Sequence, residues 1–139
     1  MFRPLILSIA PLLLFATPAP AADRAASRVS EQGEAKLAKL LEGRTPGKPT
    51  NCIMNRNLTS SRIIDGTAIV YETPGRGTIY VNRPSIGAES LHEDDILVTK
   101  SYTSQLCSLD NATLLDRGSR IQRGFVSLGE FVPYTRPRR

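Results

Sequence analysis

His92 is the single histidine of the chain, and that limits the chemistry the protein can run. A zinc site built on two imidazoles cannot be assembled within one copy. The run His92-Glu93-Asp94-Asp95 offers oxygen ligands to a hard cation, but a calcium loop needs about six oxygens at set offsets around a turn glycine. That spacing is missing, and such a run is expected on a solvated loop. No metal and no cofactor are expected. Many serines are present, yet no Gly-x-Ser-x-Gly elbow exists to expose one as a nucleophile. Asp65, Glu72, Asp110, Asp116 and Glu130 are candidates for paired-carboxylate hydrolysis, although the sequence does not say which of them converge. Gly75-x-Gly77 lies in a turn before a strand rather than a helix, so it builds no phosphate cradle. No catalytic residue is assigned.

Cysteine chemistry depends on compartment. Arg3 precedes the apolar stretch 5–16, and Ala19-Pro20-Ala21 follows it. A charged start, a short apolar run and a small-x-small site predict a secretory signal peptide over 1–21, cut between Ala21 and Ala22. The run is too short and too broken by proline to span a bilayer, which takes about 20 apolar residues. The expected location is periplasmic or secreted, with no transmembrane segment in the mature chain. Cys52 and Cys107 are the two cysteines, and an oxidising compartment favours a disulfide between them. A reactive thiol is the rival, but there is no Cys-x-x-Cys, and no Lys, Arg or His adjoins either cysteine to lower its pKa.

The 139 residues carry 18 Lys and Arg against 13 Asp and Glu, a net charge of +5. Removing 21 residues leaves 118, and losing Arg3 leaves 17 basic groups and a net +4. That length buries roughly 60–70% of its unfolded surface, enough for one core. A mild positive balance on an exported chain does not point to nucleic acid. Arg136, Arg138 and Arg139 give a basic tail over 135–139 that could touch anionic envelope surfaces.

Several elements must position these groups. Residues 22–29 are small and polar and are expected to form a mobile leader. Leu37, Leu40 and Leu41 at helical spacing, with Ser30 as N-cap and Gly43 beyond the end, predict a short helix over 31–42. Its apolar stripe is narrow and Gly33 weakens it, so it either docks lightly or belongs to an arm. Residues 43–50, rich in Pro and Gly, are expected to be an irregular linker, with a compact domain over 51–134. Within it, 61–72 and 78–82 are rich in β-branched and aromatic residues and flank the turn 73–77, which predicts a hairpin. Ile79 and Val81 alternate with Tyr80 and Asn82, consistent with a sheet packed on one side. Further strands are expected over 96–102, 105–108 and 112–116. The closing stretch 120–134, interrupted by Gly124 and Gly129, either closes the sheet or plugs it. The absence of helices between strands excludes a doubly wound sheet. The expected fold is mainly β, a small antiparallel half-barrel or sandwich of about five strands preceded by one short helix.

The segments Asn51-Cys52-Ile53, Arg62-Ile63-Ile64-Asp65-Gly66-Thr67-Ala68-Ile69-Val70-Tyr71, Tyr80-Val81-Asn82-Arg83, Ser104-Gln105-Leu106-Cys107-Ser108-Leu109-Asp110 and Gly124-Phe125-Val126-Ser127-Leu128-Gly129-Glu130-Phe131-Val132-Pro133 form an ordered set over about 51–134. As a set they resemble a family of small exported proteins of Gram-negative bacteria described as a domain of unknown function. The resemblance implies a periplasmic setting and no activity. Members of that family often carry further cysteines, near the positions of Gly87-Ala88-Glu89 and Val126-Ser127 here. Their joint absence suits a second disulfide lost as a unit, which leaves Cys52 and Cys107 as partners. No functional residue carries over.

The residue inventory therefore points to an exported, non-catalytic domain that binds an envelope protein or component. The alternatives are an envelope-surface binder using the Arg-rich C-terminus, and a small hydrolase using carboxylates or a free Cys.

Overall fold

A computed structural model describes residues 21–137. The expected signal peptide, apart from Ala21, and the last two arginines of the tail lie outside the described residues. Helix α1 spans Ala21–Leu40, starting ten residues before the expected start at residue 31. The stretch expected as a mobile leader is helical because Ala, Arg and Ser continue a helix well without any apolar stripe to announce it. Ser30 is an interior residue, not a cap.

Ten strands follow among the described residues. They are β1 Thr45–Pro46, β2 Cys52–Met54, β3 Ser60–Ile64, β4 Ala68–Glu72, β5 Thr78–Asn82, β6 Asp95–Thr99, β7 Gln105–Cys107, β8 Asn111–Asp116, β9 Gln122–Ser127 and β10 Phe131–Thr135. They form three antiparallel sheets, ordered β1-β10-β5-β4-β3, β2-β7 and β6-β8-β9. The fold is mainly β with one helix before the sheets, as the turn-rich sequence implies.

The expected hairpin between β4 and β5 is present, with Tyr71 opposite Tyr80 and Val70 opposite Val81. The stretch 61–72, expected as one strand, is instead two. Asp65-Gly66 turns the chain, Thr67 N–H donates to Ile64 O at 3.1 Å, and β3 folds back on β4. An Asp-Gly pair between apolar runs is a strong hairpin signal, and the high β-propensity on both sides masks it. The stretch 43–50 is not wholly irregular either, since β1 pairs Thr45 with Thr135 and Pro46 with Tyr134.

A larger correction concerns the sheet faces. Ala68, Ile69, Val70 and Tyr71 are all buried, so the five-stranded sheet is covered on both sides rather than one. Ile64, Ala68, Val70, Ile79 and Val81 pack with Leu37 of α1. Ile63, Ile69, Tyr71 and Phe131 pack against Leu106, Leu114 and Val126 of the two smaller sheets and Leu128 just beyond β9. Leu37 is 1% exposed, and burying a leucine of this kind contributes about 1.5–3 kcal/mol. The helix is therefore the outer layer of the domain.

Two glycines permit the close approaches that hold these layers. A Cβ on Gly33 would sit 1.9 Å from Thr67 Oγ1 and 2.5 Å from Asp65 O, so this glycine, expected to weaken the helix, is what lets α1 reach the β3–β4 turn. A Cβ on Gly129 would lie 2.1 Å from Arg83 O, where the chain crosses from β9 to β10 in another sheet. Asn82, fully buried, clamps that crossing: Nδ2 donates to Gly129 O at 2.7 Å, and Oδ1 accepts from Gly129 N–H at 3.1 Å.

Cys52 and Cys107 form a disulfide across the directly opposed positions of β2 and β7. It closes a loop of sequence separation 55, which in the chain-entropy account stabilises by about 4 kcal/mol. The Cys52→Ser/Cys107→Ser double variant should lose up to that amount in urea unfolding under oxidising conditions. Equal stability of the two proteins would show that the staple does not constrain the unfolded chain.

Tyr71 supplies a contrasting case. Its ring packs on Phe131 with centroids 5.8 Å apart, its hydroxyl is buried without a hydrogen-bond partner, and burial pushes its pKa well above the usual phenol value. A buried hydroxyl left unpaired costs about 1–3 kcal/mol. Tyr71→Phe is therefore expected to unfold at the same or higher urea concentration than the wild type, and a loss above about 1 kcal/mol would reveal a partner for that hydroxyl.

Candidate functional site

Sheets that do not close leave edges. The five-stranded sheet ends at β3 and the three-stranded sheet ends at β6, and neither has a further strand on its outer side. The two edges line one cleft of about 780 Å³, within the roughly 300–1,000 Å³ span of ligand sites. Ser60 to Ile64 form one wall and Asp95, Ile96 and Leu97 the other. Lys36, Lys39 and Leu40 of α1 border it together with Glu93 and Arg117.

Local folding explains each contribution. Lys36, Lys39 and Leu40 recur at helical spacing, which brings them to one face of α1. On β3, Ile63 enters the inter-sheet core while Ile64 enters the helix-side core. By the pleat, Ser61 shares the face of Ile63, and Ser60 and Arg62 share that of Ile64. Leu97 of β6 packs on the inter-sheet core, so Asp95, two residues earlier, points to the same side.

Asp95 is the least expected residue of the cleft. The acidic run 93–95 reads as a solvated loop, but the Asp95 side chain is 0% exposed. Arg123 Nη1 donates to its Oδ1 at 3.3 Å, while Oδ2 has no hydrogen-bond partner. A buried carboxylate is tolerated where a cation neutralises it, and here Arg123 also lies 4.0 Å from Asp116. Asp116 faces Asp95 across β6 and β8. Hydrogen bonds from the Ser119 N–H and hydroxyl hold its carboxyl below the usual carboxylate range.

The other members of the run are used differently. Glu93 Oε2 accepts from Lys36 Nζ at 2.7 Å, and Asp65 lies 3.7 Å from the same ammonium. The hydrogen bond to Glu93 is the main reason that the Lys36 pKa is raised. Glu93 N–H in turn donates to Asp65 Oδ1 at 2.7 Å. Arg83 grips Glu34 of α1 with both guanidinium nitrogens, one of them at 2.9 Å. These pairs pin the helix over the sheet that it covers.

The five carboxylates weighed for hydrolysis serve separate local roles. Asp65 meets Lys36, Glu72 takes both Arg62 at 3.4 Å and Arg76 at 3.6 Å, and Asp110 Oδ2 accepts the Cys107 N–H at 2.8 Å. Asp116 closes its own turn onto Ser119, and Glu130 is exposed. Both cysteine sulfurs are committed to the disulfide, which leaves no thiolate nucleophile. His92 is exposed, and among the described residues no three His, Cys, Asp or Glu side chains are grouped to hold a metal. At the Arg-rich end, Arg44 donates to the carbonyls of Arg76, Gly77 and Tyr134, and Arg136 N–H donates to Gly77 O. Arg44 is thus spent on tying the β4–β5 turn to β10. Its pKa is lowered by burial first and by the nearby Arg136 second.

No family model matches this chain, and no curated protein or solved structure is detectably similar to it. Among the described residues, no helix is long and apolar enough to cross a membrane.

The sequence shows Cys52 and Cys107 but not the cleft. Lys36 and Lys39 of α1, Arg62, Asp95 and Arg117 come from four separate parts of the chain and become neighbours only because β3 and β6 both end their sheets. The one local signal is the i, i+3, i+4 recurrence of Lys36, Lys39 and Leu40.

The Arg83 hydrogen bonds hold Glu34 below its ordinary pKa of 4.5. A carboxylate whose pKa is lowered by folding stabilises the fold above the unfolded value and loses that contribution as pH falls through its lowered folded value. Both partners are about half exposed, so the contribution is at most about 1 kcal/mol. Glu34→Gln should be less stable than wild type in urea at neutral pH and should match it under strong acid. A stability gap that persists in acid would mean that Glu34 acts through packing rather than charge.

Proposed function

We propose that this protein is a non-catalytic, exported binding domain whose cleft between β3 and β6 receives an extended polypeptide segment as an added strand. The observation that carries the reading is that two unpaired sheet edges border the same ligand-sized cleft. An exposed edge presents a row of backbone N–H and C=O groups, and a guest strand satisfies them at small entropic cost when it is already extended. β3 has five residues, so its edge offers about 17 Å of hydrogen-bonding length.

Two further features support it. Aliphatic Ile63, Ile64 and Leu97 at the cleft suit the alternating side chains of a guest strand. Among the described residues, the five carboxylates weighed for hydrolysis serve separate contacts and both cysteines form the disulfide, which lends no support to the hydrolase alternative. The periplasmic setting, and with it an envelope partner, rests on the signal-like start of the chain and on the family resemblance.

The reading is tested by placing a photo-crosslinking side chain at Ser61, on the cleft, and at Leu109, which is 75% exposed elsewhere, in the exported protein in its own envelope. Adducts at Ser61 that mass spectrometry maps to a contiguous partner segment, absent from Leu109, are the expected outcome. Equal labelling from both positions, or none from Ser61, would overturn strand addition at this edge.

A further inference from the structure

We propose that the segment taken by this cleft is acidic, with carboxylates alternating with apolar side chains, an inference that rests on the strand-addition reading above. The argument is the charge of the cleft's own lining, where the four cations Lys36, Lys39, Arg62 and Arg117 stand against the two carboxylates Glu93 and Asp95, 4 − 2 = +2. Lys36 is answered by Glu93 at 2.7 Å and Asp65 at 3.7 Å. Asp95 shares Arg123 with Asp116, which lies outside the lining. Glu72 is one carboxylate serving two guanidiniums, Arg62 and Arg76. Among the described residues, neither Lys39 nor Arg117 has a carboxylate within 4.0 Å. The cleft therefore retains two unanswered cations and a half-answered third. Arg117 is also held in place, its Nε donating to Asp94 O at 3.2 Å.

The second observation is Asp95 Oδ2, buried beside the cleft and unpartnered. Arg123 holds the other oxygen, Oδ1, so what Oδ2 lacks is a hydrogen-bond donor. A backbone N–H or hydroxyl of a guest strand meets that need, and polar groups left unpaired in a closed site weigh against any ligand that brings none. A basic guest would meet Lys39, Arg62 and Arg117 at close quarters and be repelled.

Strand geometry turns the charge balance into a pattern. Arg62 lies on the helix-facing side of β3, toward α1 and its Lys39, while Ile63 lies on the side shared with Leu97. A guest continuing the sheet shows successive side chains to these two sides in turn. Carboxylates at every second position lie on the side of Arg62 and Lys39, and the apolar residues between them lie on the side of Ile63 and Leu97.

The test uses the full exported chain and three short labelled peptides read by fluorescence anisotropy at low salt. One alternates Glu and Val, one alternates Lys and Val, and one has the Glu/Val composition segregated into a Glu block and a Val block. The alternating acidic peptide is expected to bind at least about tenfold more tightly than the other two, and to weaken as salt shortens the screening length. The Lys39→Glu/Arg117→Glu variant, altered only at exposed positions, should lose on the order of tenfold in affinity while remaining folded, its urea midpoint lowered slightly by loss of the Arg117–Asp94 O hydrogen bond. Comparable binding of the alternating Lys peptide would overturn the acidic preference while leaving strand addition intact. Comparable binding of the block peptide would reduce the cleft to a polyanion patch and overturn the pattern. No binding by any peptide would overturn this inference together with the reading beneath it.

Discussion

A strand that is apolar on both faces must be covered twice, and β4 is such a strand. Ala68 and Val70 face α1, while Ile69 and Tyr71 face the smaller sheets. Everything else in the domain answers that requirement. The helix supplies one cover with a single fully buried leucine, Leu37, and keeps its position through polar contacts at its margins. The sheets β2-β7 and β6-β8-β9 supply the other. Because the second cover is built from two separate sheets rather than one continuous one, the layers do not close at every side. The opening between β3 and β6 is a by-product of that arrangement.

The same requirement explains where the chain tolerates no side chain. To cover the central sheet from both sides, the chain must change layers, and it does so within Leu128-Gly129-Glu130, between β9 and β10. Backbone leaving one sheet has polar groups that the next sheet has not yet satisfied. Asn82 supplies the missing partners by presenting an amide that pairs with Gly129 much as a neighbouring strand would. A buried polar side chain fully satisfied in this way adds specificity to a core that aliphatic packing alone leaves degenerate. On the opposite layer, Gly33 allows contact between α1 and the β3–β4 turn.

Much of this architecture is written in local patterns. The hairpin of β4 and β5, the strands near β6 to β8 and the cysteine pair follow from residue type and spacing. The second turn, at Asp65-Gly66, is equally local and was obscured only because strong strand formers surround it. Other features have no local trace. That Gly33 is an approach point rather than a weakness, that Asp95 is buried rather than solvated, and that both faces of the sheet are covered all depend on what packs opposite. The cleft is the extreme case: an edge is defined by the strand that is missing beside it, and no residue type encodes a missing neighbour.

An open edge is a hazard as well as an opportunity, and the composition of these edges bears on which one dominates. Natural sheets protect edges with charge, short strands or cover. β3 places Arg62 on its exposed half, both edge strands are only five residues long, and Lys36, Lys39 and Arg117 surround the gap. Self-association through this edge would bring a second set of the same cations against the first. Like charges held close in a partly dry cleft repel more strongly than at an open surface. The arrangement that disfavours another copy of the chain favours a strand of opposite charge. Under the proposed function, protection from aggregation and selection of a guest share one physical source, the cations that line the gap.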